Sequence, residues 1–315
     1  MAKVSKNRKL GLSFGSEDLL LVETEEAAKN YKVTSLLNVS SDIPFSVDMF
    51  SQESGAEMIG SELKNVLDKN NITTKSLAVS LELGIGSVIK IPYSKKLSDK
   101  DLSSHLNWEL QQYVDEEVSG YTFDSYKLVK SPSIRNPELL LVGARKNVIS
   151  FFQEMSGHAG VDLQLLNVDV LAAVNTFEVN YKFHPKEKIA LVEIGERKLV
   201  FTLLEGNFFI GYRQLYLDDS ARDDFTNSVS ELITLNLKTL FDDYELVAEN
   251  NAFDHVFLYR SNTKSNLTEL IGASQIELKL FNPFEKIRLD SSIQDSIDFE
   301  SDNSEYVEAL GLTIP

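Results

Sequence analysis

One pattern constrains the fold of this chain more than any other: a buried strand, a glycine turn and a returning strand, which occurs twice. In Ile189–Leu204 an apolar run reaches Glu193 and Gly195, turns, and continues as a second apolar strand. A weaker copy begins with Leu10–Gly15 and returns through Leu19–Val22. The repetition predicts two related halves, each with a hairpin tip at the same place. In several nucleotide-binding folds, two such tips face each other across a cleft and hold phosphates.

The periodicity of apolar residues predicts a duplicated α/β plan with mixed sheets. For the first half it predicts strands over 10–14, 18–24, 31–38, 76–81 and 161–167 and helices over 55–70 and 168–179. For the second half it predicts strands over 188–194, 197–204, 208–216, 253–259 and 276–281 and helices over 225–244, 264–272 and 305–312, with a loop over 288–304. Residues of about 86–160 interrupt the first half with strands over 88–91, 121–130 and 139–142 and helices from 98 and over 146–158.

The size and the charge of the chain exclude several classes of protein. With 315 residues it is long enough for two domains that each have a core. A net charge of −17 argues against binding to nucleic acids or anionic membranes, because both need basic surface. Without cysteine, neither disulfides nor thiolate metal sites can form. No metal site is expected from the four scattered histidines either, which are His105, His158, His184 and His255.

We also expect neither secretion nor direct membrane insertion. The basic residues at the N-terminus precede the apolar run Leu10–Phe14, which is too short for a signal peptide. No apolar stretch approaches the ~20 residues that a membrane span needs. The sequence is therefore compatible with the cytoplasm.

Four stretches carry a resemblance to a known family. They are Ile91–Pro92 with Leu97–Leu102 and Trp108–Tyr113; Leu139–Lys146 with His158–Val161 and Val168–Asp169; Ala190–Gly195; and Asn282–Phe284 with Tyr306–Leu312. In this order and spacing they resemble the type IV pilus assembly protein PilM family, over nearly the whole chain.

The resemblance implies an actin-like fold, which is a duplicated ribonuclease-H-like α/β fold of two domains with a small inserted α+β subdomain. The first domain is expected at 1–180, with the inserted subdomain at about 86–160. The second is expected at 181–315, with the chain returning to the first domain at about 303–315.

The resemblance also implies a role and a partner. Members of the family are cytoplasmic proteins that hold the short N-terminal tail of a bitopic inner-membrane partner, PilN, and link it to the motor side of the pilus machine. The tail is expected in a groove between the inserted subdomain and the first domain. Trp108 lies off the apolar stripe of its helix, so it either belongs to the core of the inserted subdomain, which we favour, or contacts the partner.

The two hairpin tips correspond to the phosphate loops of the actin-like fold, and both depart from the usual pattern. The first has Gly11, Ser13 and Gly15, with serine where the family usually has aspartate. The second has Glu193 and Gly195, with glutamate where aspartate is usual. Carboxylates at these places order the water molecules of a bound Mg²⁺, and a hydroxyl does this poorly.

A third departure follows the strand at 253–259. Families that bind nucleotide have glycines there, whereas this chain has Arg260–Lys264, whose side chains would crowd an adenine. Arg260 and Lys264 either contact an anion or are solvated. We therefore expect no catalytic residue and weak or lost ATP binding, although ATP with Mg²⁺ remains possible.

Three other hypotheses stay open at this point. The chain is an active actin-like ATPase that polymerises, or, ranked last, a sugar or small-metabolite kinase of the same fold. A relationship to the cytoplasmic part of a GspL-like type II secretion protein is also open, and the lack of a membrane span disfavours it.

Overall fold

A computed structural model describes residues 7–15, 17–27, 30–92, 98–114, 117–128, 138–217, 225–248, 251–261, 266–294 and 303–314. Fourteen strands lie in these residues: β1 Arg8–Phe14, β2 Asp18–Ala27, β3 Asn30–Ser40, β4 Ser76–Leu81, β5 Gly86–Pro92, β6 Tyr121–Lys127, β7 Glu138–Arg145, β8 Asp162–Val168, β9 Lys188–Ile194, β10 Lys198–Glu205, β11 Phe208–Tyr216, β12 His255–Arg260, β13 Lys279–Leu280 and β14 Arg288–Leu289. Eight α-helices lie there too: α1 Gly55–Lys69, α2 Asp99–Leu110, α3 Lys146–Ala159, α4 Asp169–Asn180, α5 Phe225–Asp243, α6 Leu267–Ala273, α7 Ser291–Gln294 and α8 Val307–Gly311.

Two sheets of the same connectivity confirm the duplicated α/β plan. The first has the order β14-β3-β2-β1-β4-β8, and the second has the order β11-β10-β9-β12-β13. In each sheet, three consecutive strands pair antiparallel. A later strand then pairs in parallel with the first of the three, and another pairs in parallel with that later strand. The hairpins β1–β2 and β9–β10 therefore hold equivalent places in the two halves.

The second sheet is covered on both faces, which explains why most residues of its central strands β9 and β10 are apolar. Alternate residues of β9, such as Val192, pack towards α5 in one core cluster. The residues between them, such as Leu191, pack in another cluster with Phe177 of α4. Because α4 follows β8 of the first sheet, this second cluster is shared by both halves.

The inserted segment forms a three-stranded antiparallel sheet of order β5-β7-β6, with α2 packed against it. The helix that follows, α3, packs on α1, and its apolar face joins the core of the first half. The C-terminal helix α8 packs on α4, β1 and β2. We propose a first domain at 1–180, an inserted subdomain at about 86–160 and a second domain at 181–315. Within the inserted segment, α3 is the helix whose apolar side chains belong to the core of the first half.

The prediction of a loop over 288–304 is wrong at its start. The strand β14 pairs in parallel with β3, and α7 follows it. Leu289 and Ile293 are buried in a core cluster with α8. Two apolar residues in an otherwise polar stretch were too few to predict a strand or a helix from the sequence. The predicted strand at 276–281 is shorter, since only β13 pairs there. Three predicted pieces lie outside the described residues: the end of the strand at 121–130, the start of the helix at 264–272 and part of the loop at 288–304.

Candidate functional site

The two hairpins meet at a cleft between the halves. A cavity of about 120 Å³ lies there, with Gly15 at the end of β1 and Glu193 in β9 among the residues that line it. The structure thus brings together one residue from each predicted phosphate loop. The other lining residues are Phe14, Phe45, Ser80, Leu81, Glu82, Ile85, Phe152, Asp169, Lys198, Ser261 and Glu308.

The other three predicted phosphate-loop residues do not line this cavity in the described structure. A Cβ on Gly11 would lie 1.9 Å from the carbonyl oxygen of Ala309 in α8, so this glycine allows close packing of a helix. Ser13 is buried in β1. The N–H of Gly195 donates to the carbonyl of Lys198 at 2.9 Å, which closes the β9–β10 turn.

A lysine lies among the carboxylates of the cleft. Lys198 Nζ is 2.9 Å from Glu82 Oε1, 3.1 Å from Glu193 Oε1 and 3.4 Å from Asp169 Oδ2. Glu308 of α8 lines the same cavity, and its carboxylate accepts a hydrogen bond from Ser80. We call these five charged residues, Glu82, Asp169, Glu193, Lys198 and Glu308, the cleft cluster.

Most of the cleft cluster is removed from water. Glu193 is fully buried and Asp169 nearly so, whereas the side chain of Glu82 is half exposed. The Asp169 carboxylate accepts hydrogen bonds from the backbone N–H groups of Leu83 and Val170, and Ser261 donates to Glu193 Oε1. The cluster therefore satisfies its polar atoms largely from within the protein, as buried charges require.

Burial changes the protonation of the cleft cluster. Burial, with the nearby Glu193 carboxylate, raises the pKa of Asp169 to about 7, although Lys198 pulls it down. Burial also raises the pKa of Glu308 well above its ordinary value. For Lys198, burial alone would lower the pKa, but Glu193 and Asp169 raise it further than burial lowers it. The lysine is therefore a cation at every physiological pH, and of the acids around it Asp169 and Glu308 have pKa values raised towards or above neutrality.

The described side chains, as arranged, do not fit a nucleotide with its Mg²⁺. The Lys198 ammonium already lies between the carboxylates that would have to face a metal. No group of three or more His, Asp or Glu side chains in the described residues is placed to hold a metal ion. The cavity is also smaller than the roughly 300–1,000 Å³ of small-molecule sites, and has room for about four water molecules at ~30 Å³ each.

The aromatic rings at the cleft belong to the core of the first half. The ring of Phe14 stacks on Phe45 with centroids 4.1 Å apart, and Phe152 packs 5.9 Å from Phe14. Arg260, the last residue of β12, pairs with Glu305 at 2.9 Å, so its contact is an ion pair within the chain. Lys264 lies outside the described residues.

A second and larger cavity, of about 590 Å³, lies between the inserted sheet and the first half. We call it the β8 groove, because six consecutive residues of that strand, 163–168, line it. From the inserted sheet it takes alternate residues of β6, namely Thr122, Asp124 and Tyr126. The groove thus exposes one edge of β8 and one face of β6. Its position is that expected for the partner groove.

The β8 groove is apolar and accessible. Leu165 is 41% exposed and Tyr126 is 55% exposed, which is high for large apolar side chains. Leu171 and Val174 of α4 complete its wall. Strand β8 pairs with β4 on one side and ends the order of its sheet within the described residues, so its outer edge is open for pairing.

Trp108 lies on the outer face of α2 and is 63% exposed. The interpretation that it belongs to the core of the inserted subdomain is therefore wrong, because the apolar stripe of α2 packs on the sheet through Leu106 and Leu110 instead. Trp108 is not among the residues that line the β8 groove. Its role as a partner contact stays a prediction.

Sequence reasoning missed Lys198, Glu82 and Glu308 and named Asp169 only as part of a motif. One signal was present: Lys198 opens a strand whose following residues, Leu199–Leu204, are almost all apolar. A lysine in a strand that is buried on both faces must meet a carboxylate.

Comparison with known proteins agrees with this architecture. A family model described as type IV pilus assembly protein PilM matches residues 11–217. A search of curated proteins returned no match. Among the described residues, no helix is long and apolar enough to cross a membrane.

Two solved structures share the fold. The PilM–PilN type IV pilus biogenesis complex has a TM-score of 0.74 at 17% identity, over 97% of this chain and 97% of that chain. A Bacteroides thetaiotaomicron protein with an actin-like ATPase fold and unknown function has a TM-score of 0.51 at 11% identity, over 93% of this chain and 97% of that chain. At these identities the likeness shows the fold, which is actin-like.

Proposed function

The chain belongs to the PilM family of type IV pilus assembly proteins, and from this we propose that it is a scaffold that holds the tail of a membrane partner. The family model covers residues 11–217, about two thirds of the chain. The partner we propose is the short N-terminal cytoplasmic tail of a PilN-like bitopic inner-membrane protein, since a PilM–PilN complex shares the fold. The protein would then be cytoplasmic and recruited to the inner face of the inner membrane, in a type IV pilus or a related secretion machine.

The observation that carries this proposal is the open edge of β8 in an apolar groove. An extended peptide can add to a sheet edge through main-chain hydrogen bonds, while its alternate side chains enter pockets on either side. At the β8 groove those pockets are the face of β6 and the wall of α4. The edge supplies affinity, and the two walls supply specificity.

The charge of the groove indicates the character of the tail. Asp124 is the charged residue that lines the β8 groove within the described part of the chain. The apolar lining around Leu165 and Leu166 suits a tail that presents apolar side chains. A tail with several acidic residues would be repelled, because the whole protein carries a net charge of −17.

We propose further that ATP binding is weak or lost. The small cavity and the position of Lys198 among the carboxylates support this. The alternative, an active actin-like ATPase that polymerises, would need carboxylates available to order the water molecules of a Mg²⁺, and Lys198 already lies 3.1 Å from Glu193 and 2.9 Å from Glu82. No observation of this structure favours that alternative.

Thermal unfolding with two ligands tests both parts of the proposal. A ligand that binds only the native state raises the Tm. We expect a peptide that copies the PilN-like tail of the same cell to raise it, and millimolar Mg-ATP to leave it unchanged. A Tm that rises with Mg-ATP would contradict the loss of nucleotide binding, and no response to the peptide would contradict docking.

A matched pair of substitutions locates the tail. Leu165→Asp places a carboxylate on the open edge of β8, and because Leu165 is already 41% exposed the variant should fold. We expect at least a tenfold loss of peptide affinity, which is about 1.4 kcal/mol. Leu235→Asp makes the same change at a 63% exposed leucine of α5, far along the chain from the groove, and should leave affinity unchanged. Equal affinities of the two variants, measured by calorimetry, would place the tail elsewhere.

A further inference from the structure

Lys198 joins the two halves of the molecule through its side chain. It is the first residue of β10 in the second sheet and is 8% exposed. Its ammonium reaches Glu82, which follows β4 of the first sheet, at 2.9 Å. It also reaches Asp169, the first residue of α4, at 3.4 Å. Carboxylates of the first half therefore meet a cation that is part of the second half.

The acids of the cluster that are ionised need a counter-charge. Glu193 in β9 and Asp169 are both almost completely buried, and Glu308 lines the same cavity. Acids this close repel one another, and a buried carboxylate without a counter-charge is strongly unfavourable. The Glu193 carboxylate is compensated at Oε1, where the Lys198 ammonium lies at 3.1 Å and the Ser261 hydroxyl donates a hydrogen bond, and Lys198 is the one of these two that carries a charge.

We infer that Lys198 is a built-in cation that takes the place of a metal–nucleotide complex between the two halves and holds them together permanently. This rests on the loss of nucleotide binding proposed above. A bound nucleotide can leave or be hydrolysed, and a protein that depends on it changes state when it does. A lysine side chain cannot leave. The cleft of this protein is therefore set in one closed state.

The same contact positions the β8 groove. Glu82 follows Leu81 and Asp169 follows Val168, and both Leu81 and Val168 line that groove. The Asp169 carboxylate also accepts a hydrogen bond of 3.0 Å from the backbone N–H of Leu83. The segment that follows β4 and the start of α4 therefore contact each other next to the lysine. The groove would then keep its shape without nucleotide, which a docking frame requires.

The test is urea unfolding of the wild type and of Lys198→Met, which keeps the length of the side chain and removes its charge. Measurements are made at about pH 5 and about pH 8. Lys238→Met, at an exposed lysine of α5, is the control for loss of a positive charge. The double variant Lys198→Met with Glu193→Gln removes the cation and one carboxylate together. The titratable groups that surround the lysine are Glu82, Asp169, Glu193, Tyr259 and Glu308.

We expect Lys198→Met to lower the urea midpoint more at about pH 8 than at about pH 5, because at the lower pH the carboxylates take up protons in place of the missing charge. Lys238→Met should change the midpoint little at either pH. The double variant should recover part of the urea midpoint that Lys198→Met loses. If Lys198→Met does not fold, the double variant is compared directly with the wild type. Mg²⁺ and Mg-ATP should leave the wild-type midpoint unchanged.

Two results would overturn the inference. An equal loss at both pH values, without recovery in the double variant, would mean that Lys198 contributes only packing. That result would leave the docking proposal intact, because tail binding is measured separately. Stabilisation of the wild type by Mg²⁺ or Mg-ATP would mean that the cleft takes an external cation, and would also remove the nucleotide part of the proposed function.

Discussion

At the scale of single residues, a glycine in a sequence motif can make a different contact from the one that the motif suggests. Gly11 matches a glycine of the first phosphate loop, yet in this structure its missing side chain makes room for the backbone of α8. Gly195 closes a hairpin turn. Both contacts are with the protein's own backbone. The identity of a glycine in a sequence therefore does not say which neighbour requires it.

Gly11→Ala should destabilise the protein. The new Cβ would lie 1.9 Å from the carbonyl oxygen of Ala309, so β1 or α8 must shift, and overpacking of this kind costs about 1–3 kcal/mol. Gly157→Ala in α3 is the matched control, because no atom lies within 4 Å of its new Cβ. There the helix should gain about 0.5–1 kcal/mol. Urea unfolding measures both, and a Gly11→Ala variant as stable as the wild type would contradict the close packing of α8.

The raised pKa of Asp169 predicts how stability depends on pH. Its folded pKa of about 7 lies above the ordinary value of 3.8, so between these values the native state holds a proton that the unfolded state has lost. Stability from this group is therefore present at low pH and declines as pH rises towards 7, by at most about 1.4 kcal/mol per pH unit. The charges of Glu193 and Lys198 act on this carboxylate in opposite directions, the first raising and the second lowering its pKa, and Glu308 lines the same cavity.

Asp169→Asn tests this dependence, since an amide does not titrate. Compared with the wild type, the variant should show a flatter decline of the urea midpoint between about pH 5 and about pH 7. Asp242→Asn, at an exposed position of α5, should keep the slope of the wild type. Identical slopes in all three proteins would show that Asp169 is ionised in the folded state.

At the scale of elements, the sequence predicted what local periodicity controls. The hairpin around Gly195 was predicted at 188–194 and 197–204 and is found as β9 and β10 within one residue. The strand β14 was missed, because its two residues pair with β3 only after the chain returns to the first sheet. Pairing between distant segments leaves no periodic signal in so short a strand.

The candidate site could be predicted only in part for the same reason. Gly15 and Glu193 were named from the hairpins, and both line the cleft. Glu82 follows β4, Asp169 begins α4 and Lys198 begins β10, and only the fold brings the two carboxylates within 3.4 Å of the lysine ammonium. Family resemblance led us to expect a partner groove between the inserted subdomain and the first domain, and that role of the β8 groove stays a prediction. The open edge of β8 follows from sheet order, which a single sequence does not give.

At the scale of the whole molecule, the two halves share a core. Phe177 of α4 packs in one cluster with Leu191 of β9 and Phe257 of β12. The rings of Phe177 and Phe257 lie 5.5 Å apart, edge to face. With the ion pairs of Lys198 added, the contact between the halves combines apolar packing and charge. Halves that share a core in this way should unfold together.

We therefore expect a single cooperative thermal transition for the whole chain, in which calorimetric and van't Hoff enthalpies agree. Two substitutions, one in the core of each half, test whether the transition is shared. Ile59→Ala removes a fully buried side chain from the core of the first half, and Ile233→Ala does the same in the second half. Each should cost about 2–5 kcal/mol and lower the Tm of the same single transition. If the halves unfold independently, each variant will instead lower one of two transitions and leave the other in place, and the shared core around Phe177 will not be what couples them.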